Sequence, residues 1–354
     1  MTQFHSVVTM PQRHGCPTNS VFGVQEKRRD NAIPDTSNLC LLPTSIQLMT
    51  SYASSPSTRR RFLRQFGTAS ALFILPGAFA QQLTSSRALP RGERVFYASH
   101  SLMWYVPQPL AVLVAAAGIH GHEIAGVQAI GASRTLQHWE KPEPNQAQQA
   151  MRTGKVDVFV MSPIQFPDEG VENFVKLGLE HNPNMHFIVQ LSWGGGDTDN
   201  QDFPKGAWDN VDRNKTPEQL QKLYERNIQA GEAQADDINK KYGKGKRILA
   251  LVPTAQALVV LRSKIFKKEM PGLNNQGELF VDPAHPSAPL EALNTYLHFA
   301  VLYGQSPVGL PMTEKLKAAN RPAWDDKFVR TLQEIAWQTA ADYSYSGITT
   351  AGMR

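Results

Sequence analysis

The sequence predicts an α/β fold: a doubly wound parallel sheet between two helical layers, a three-layer α/β/α sandwich. Two observations carry this expectation. From residue 94 onward, β-prone runs alternate with helical patterns, the order that builds parallel strands joined by crossover helices. The runs are also apolar on both sides, as in Val-Asp-Val-Phe-Val-Met at 156–161, which suits strands covered on both faces.

Each element has its own signals. Arg94–Ala98 (RVFYA) is a short β-prone run. Pro107–Ile119 reads as a helix, with proline at its start and Gly118 near its end. Ile124–Ile130 is the second strand, closed by Gly131, and 145–153 is helical up to Gly154. Val156–Met161 is the third strand. The helix over 170–181 stops before Asn182-Pro183, and Met185–Trp193 is the fourth strand, ending in Gly194-Gly195-Gly196. Thr216-Pro217-Glu218-Gln219 is a capping-box start for a helix to about Tyr242, stopped by Gly243 and Gly245. Arg247–Val252 is the fifth strand, and Pro289–Tyr303 and Asp326–Tyr343 are late helices. Ligand sites in such sheets lie beyond the carboxyl ends of the strands.

The chain has 354 residues, 41% of them hydrophobic and 19% charged, a composition that suits a soluble globular protein rather than a fibrous or wholly disordered one. No run of eighteen apolar residues offers a membrane span. The formal net charge of +5 lies entirely within residues 1–80; beyond them acidic and basic side chains balance. A neutral body has no general electrostatic hold on a phosphate backbone, so nucleic acid is excluded as a partner. Both cysteines, Cys16 and Cys40, also fall in the first 80 residues, which leaves 81–354 without a disulfide, a thiolate nucleophile or a cysteine metal site.

Residues 58–64, Thr-Arg-Arg-Arg-Phe-Leu-Arg, precede an apolar stretch from Ala69 that closes in Ala78-Phe79-Ala80. Charge, apolar region and small-residue exit stand in the order of an export signal, and the first segment resembles the twin-arginine export motif. The resemblance implies passage through the twin-arginine machinery to the periplasm or the extracellular space. Export signals sit at chain starts, so the expected organisation is an extension over 1–57, a signal peptide over 58–80 and one domain over 81–354. Translation beginning at Met49 would account for the extension.

The first strand ends in Ser99-His100-Ser101-Leu102, and a late loop reads Asp282-Pro283-Ala284-His285-Pro286. Over roughly 94–312 this pair of motifs resembles the SGNH (GDSL-type) hydrolases. That family has a flavodoxin-like α/β/α sandwich, places its nucleophilic serine just after the first strand, and takes acid and base from a late Asp-x-x-His. The resemblance implies Ser101 as nucleophile, His285 as base and Asp282 as the carboxylate that orients it. His100 matches a Gly-His-Ser form of the first motif; Ser99 stands where the family has glycine and is the rival nucleophile. The chemistry is coherent on its own terms. A serine hydroxyl becomes a useful nucleophile when a neutral imidazole takes its proton, and a carboxylate fixes the imidazole tautomer.

The family holds its oxyanion with the serine N–H of Ser101, a glycine N–H after the second strand, which maps onto Gly131, and an Asn side chain after the third. Here the third strand is followed by Ser162-Pro163-Ile164-Gln165, so Gln165 is the expected substitute and Ser162 the alternative. His100, Arg134, His138, Trp139 and Trp193 are the expected substrate-binding residues. Trp104 and Tyr105 read as an acyl pocket or as core, with Gln190 equally open. His120-Gly121-His122 suggests a metal site but lies at the edge opposite the expected one. Asp197, Asp199 and Asp202 miss calcium-loop spacing and read as a solvated acidic loop.

These readings converge on an exported serine hydrolase acting on carboxylic esters, with deacetylation of a carbohydrate as one task, no cofactor, no metal, and a small-molecule or carbohydrate ester as substrate. The alternatives are a non-catalytic carbohydrate-binding protein on the same scaffold and a metal-dependent hydrolase using His120, His122 and His138.

Overall fold

The computed structural model describes residues 89–198 and 211–348. The chain divides at Gln81/Gln82, and every described residue belongs to the second unit. The expected extension and export signal lie outside the described residues, as do Asp199 and Asp202.

Five strands form one all-parallel sheet: β1 Arg94–Ser99, β2 Glu123–Ala129, β3 Val158–Met161, β4 His186–Gln190 and β5 Leu249–Val252. Their spatial order is β2-β1-β3-β4-β5. This is the flavodoxin-like doubly wound order, in which the chain leaves β1 first to one side and then to the other. The crevice that results lies beyond the carboxyl ends of β1 and β3.

Side-chain alternation sorts the core into two layers. Val95 and Tyr97 of β1, Val158 and Val160 of β3, and Ile188 of β4 face one cluster. That cluster is completed by α1 (Pro107–Ala116), α6 (Thr254–Phe266), α7 (Ala288–Tyr303) and α9 (Asp326–Asp342). Phe96, Ala98, Phe159, Met161, Phe187 and Val189 face the other. There α3 (Gln146–Arg152), α4 (Glu169–His181) and the second half of α5 (Pro217–Tyr242) cover the sheet. Two short helices, α2 (Thr135–Glu140) and α8 (Glu314–Ala318), complete the set. Burial on both faces is why β3 reads as an unbroken apolar run, whereas the edge strand β2 is half-exposed and carries Glu123 and Gln128.

Helix starts follow their sequence signals. The Thr216 side chain accepts from Gln219 N–H at 3.3 Å while the Gln219 side chain accepts from Thr216 N–H at 2.9 Å, the reciprocal capping box that opens α5. Helix α7 carries buried side chains all round, including Asn294 and His298, because it is walled in by the sheet, α1 and α9. Its end is closed by Gly304 in the left-handed conformation at φ 60°.

The apolar region from Arg247 continues past Pro253 as α6, and α2 follows the Gly131 turn; the sequence reading assigned neither. The expected fourth strand is shorter than read. After Gln190 the chain leaves the sheet, and Trp193 is buried with its Nε1–H donating to the Ala284 carbonyl at 2.9 Å.

Candidate functional site

At the carboxyl edge of β1, Ser99 and His100 lead into a tight turn. Met103 and Trp104 N–H both donate to the His100 carbonyl, at 2.9 and 3.0 Å. The turn puts Ser101 at the surface of a cavity of about 300 Å³. Gly131 and Ala132 after β2, Ile164 after β3, Ser192, Trp193 and Gly195 after β4, and Ala284 and His285 from the late loop complete the wall with His100, Leu102 and Trp104. Four strand ends and a loop more than 180 positions from Ser101 therefore meet at the crevice that the strand order creates.

The late loop is built around one carboxylate. Asp282 Oδ1 accepts from the N–H groups of Ala284 (2.8 Å) and His285 (2.7 Å), while Oδ2 pairs with His285 Nδ1 at 2.6 Å. Partial burial pushes the Asp282 carboxyl up, but the two N–H donors and the His285 ring outweigh it and leave it below its ordinary range. With Nδ1 held by the carboxylate, Nε2 is the nitrogen left for another group. Ser101 and His285 share the cavity wall, yet no hydrogen bond joins the Ser101 hydroxyl to the His285 ring. Hydrogen bonds of this type are often long before substrate binds.

Among the described residues, the N–H groups of Ser101 and Gly131 make no hydrogen bond within the protein. A side chain at Gly131 would meet nothing within 4 Å, so the space beside this backbone donor is open. Gln165 is not brought to the cavity; its neighbour Ile164 lines the wall instead. Ser162 is also off the wall. It is buried, with its hydroxyl 3.0 Å from His100 Nε2.

His100 is the buried partner of the serine turn. Leu102 N–H donates to its Nδ1 at 3.3 Å, which places the ring proton on Nε2, facing Ser162. Burial, then the neighbouring rings of His138 and His285, lowers its pKa to about 3, so it stays neutral. Beneath lies a buried polar set. Gln190 donates to the Ser192 hydroxyl at 2.7 Å and the Leu102 carbonyl at 3.1 Å, and its Oε1 accepts from Asn294 (2.8 Å) and pairs with His298 (2.8 Å). Gln190 is therefore part of the support beneath the Ser101 turn. Tyr105 joins the same set, its hydroxyl accepting from Asn294 at 2.9 Å, whereas half-exposed Trp104 lines the cavity.

Three expected substrate contacts lie elsewhere. Arg134 is tied to Glu169 (2.6 Å) and the Pro167 carbonyl. His138 is buried between Ser133 (2.9 Å) and Gln128 (3.3 Å), and burial lowers its pKa to about 4. Trp139 packs edge-on against Phe174. Helix α2 carries all three toward α4 and away from the crevice. Ser99 is fully buried with no partner for its hydroxyl and does not line the cavity. His122 Nδ1 pairs with the Tyr303 hydroxyl at 2.7 Å, and among the described residues no three His, Cys, Asp or Glu side chains are grouped to hold a metal ion. Asp197 is not solvated. Its carboxylate is buried between Arg213 and Arg262.

No protein-family model matches the chain, and no curated protein matches it. Among solved structures it is similar to a DUF4886 family protein from Bacteroides uniformis ATCC 8492, at 12% identity and a TM-score of 0.45, over 71% of this chain and 95% of that one.

Proposed function

We propose that the chain is a serine esterase of the SGNH type, with Ser101, His285 and Asp282 as its catalytic residues. The observation that carries the reading is the Asp282–His285 pair, bonded at 2.6 Å, opening onto the cavity that Ser101 lines. In this reading His285 Nε2 takes the Ser101 proton as Oγ attacks the ester carbonyl. The tetrahedral oxyanion rests on the N–H groups of Ser101 and Gly131. His285 then gives the proton to the departing alcohol, and water repeats the sequence on the acyl-serine to release the acid. Asp282 stabilises the imidazolium that forms at each step.

The wall supports a substrate class. Leu102, Trp104, Ile164 and Trp193 dominate it, and among the described residues no lysine, arginine, aspartate or glutamate lines it. Such a cavity accepts a neutral ester with an apolar acyl or alcohol part. This favours a simple apolar ester over the carbohydrate-deacetylase task.

Export through the twin-arginine machinery remains part of the proposal and rests on residues 58–80 alone. Hydrolysis of p-nitrophenyl butyrate tests the chemistry. Ser101→Ala and His285→Ala are each expected to lower kcat by on the order of 10³-fold or more. Hydrolysis indifferent to both substitutions, or abolished by chelation instead, would overturn the reading.

A further inference from the structure

The loop that carries His285 is exposed at both of its working side chains, 39% for His285 and 43% for Asp282, so the ring is held through Asp282 and not by packing, and its place depends on where the loop backbone is set. Its backbone is fixed from beneath. The Pro283 carbonyl accepts from Gly196 N–H at 2.7 Å and from Arg213 Nη2 at 2.5 Å, and the same Nη2 reaches the Asp282 carbonyl at 3.4 Å. Arg213 is itself held. Its Nη1 donates to Asp197 Oδ1 at 2.6 Å and its guanidinium lies 3.8 Å from the centre of the Phe280 ring. Asp197 is clamped in turn by Arg262, a fully buried residue of α6, through Nη1–Oδ1 at 2.8 Å and Nη2–Oδ2 at 2.6 Å. Arg262 also donates to the Arg213 carbonyl at 2.8 Å and to Gln276 at 2.7 Å.

A buried cluster of two cations and one anion is a poor source of stability, because desolvation offsets most of its attraction, and well-packed apolar side chains of the same volume often serve as well. What it supplies is direction. Bidentate guanidinium geometry fixes both partners in angle as well as distance. Here the direction runs from the core helix α6 through Asp197 and Arg213 to the carbonyls of Asp282 and Pro283, three and two positions before the general base. Asp197 adopts φ 54°, an unusual conformation for a non-glycine residue, directly after Gly196 at φ 65°, so the backbone itself is bent to aim this carboxylate inward.

We propose that Arg213, braced by Asp197 and Arg262, is a positioning residue that sets the His285 ring against Ser101; this rests on the esterase reading above. A shift of about 1 Å in a catalytic group costs on the order of 10²-fold in rate without weakening substrate binding. The test uses the full chain, p-nitrophenyl butyrate and a fluorophosphonate that labels activated serines. Arg213→Ala is expected to lower kcat on the order of 10²-fold with KM within twofold, to slow labelling of Ser101 in parallel, and to regain part of kcat with added guanidinium ion. Arg213→Lys keeps the charge and guards against misfolding; it is expected to stay slow, because an ammonium cannot bond Asp197 and Pro283 in one plane. Wild-type kcat in Arg213→Ala, or a loss that guanidinium leaves untouched in both variants, would overturn the positioning role alone. A wild-type chain inert to both ester and fluorophosphonate would overturn the esterase reading and this proposal with it.

Discussion

Lowering the pH from 7.5 to 5 should destabilise the fold through three buried imidazoles. His100, His138 and His298 are each 1–2% exposed. Burial lowers the pKa of His298 from 6.5 to about 3, that of His100 to about 3 and that of His138 to about 4. Between those values and 6.5 the unfolded chain binds protons that the folded chain refuses. Stability is therefore complete above about 6.5 and falls as the pH drops toward the folded values. At pH 5 the unfolded chain gains about 2 kcal/mol from each ring, or about 6 kcal/mol from three, a large share of a typical stability of about 5–15 kcal/mol. Burial raises the carboxyls of Glu93, Asp168 and Glu291, which act in the opposite sense as the pH falls and reduce the net effect. One ring can be isolated with His298→Gln, whose amide N–H can still meet Gln190 Oε1, the partner of His298 Nε2 at 2.8 Å. Urea unfolding of both proteins at each pH gives the test. The wild type should lose about 2 kcal/mol more than the variant on going to pH 5. An equal loss in the two would show that His298 is protonated inside the fold, and the burial argument would fail.

Three further outcomes are expected. Asp282→Asn keeps an acceptor for the Ala284 and His285 N–H groups but reverses the preferred ring tautomer, so kcat should fall on the order of 10⁴-fold with an unchanged melting temperature. Trp104→Ala removes a cavity wall that is 49% exposed. It should raise KM for hexanoyl over acetyl esters by about 10-fold and leave thermal stability within about 2 °C. Gly170→Ala would place a methyl 2.2 Å from Leu136 N and 2.3 Å from the Thr135 carbonyl carbon, where α4 meets α2. Chemical denaturation should show a loss of about 2–3 kcal/mol.

The third strand was legible because burial on both faces leaves an apolar run, Val158–Met161, that no surface element imitates. Helix α6 was not, since Pro253 interrupts a run that is apolar on either side and the helix has no polar face to set a period. The Asp282–His285 hydrogen bond was legible because the two residues are three positions apart and one carboxylate can span that interval. Arg134, His138 and Trp139 were read as substrate contacts from their nearness to Gly131 in sequence, but their neighbours are Glu169, Ser133 and Phe174, to which α2 delivers them. Asp197 shows the same limit more sharply. Its local sequence, Gly-Gly-Gly-Asp-Thr-Asp, reads as solvated, and only the fold brings Arg213 and Arg262 to it from 16 and 65 positions away. Ser192 and Ile164 had no signal beyond following a strand.

Helix α7 is enclosed on nearly every side, and it follows all five strands along the chain. During synthesis the ribosome therefore releases all five strands while one face of the sheet, with Val95, Tyr97, Val158 and Ile188, has only α1 and α6 to cover it until residues 288–303 emerge. Nascent chains in that interval carry a greasy, partly covered plane, and chaperone capture or clumping competes with completion. Any step that requires a finished fold has to wait for this late helix to dock.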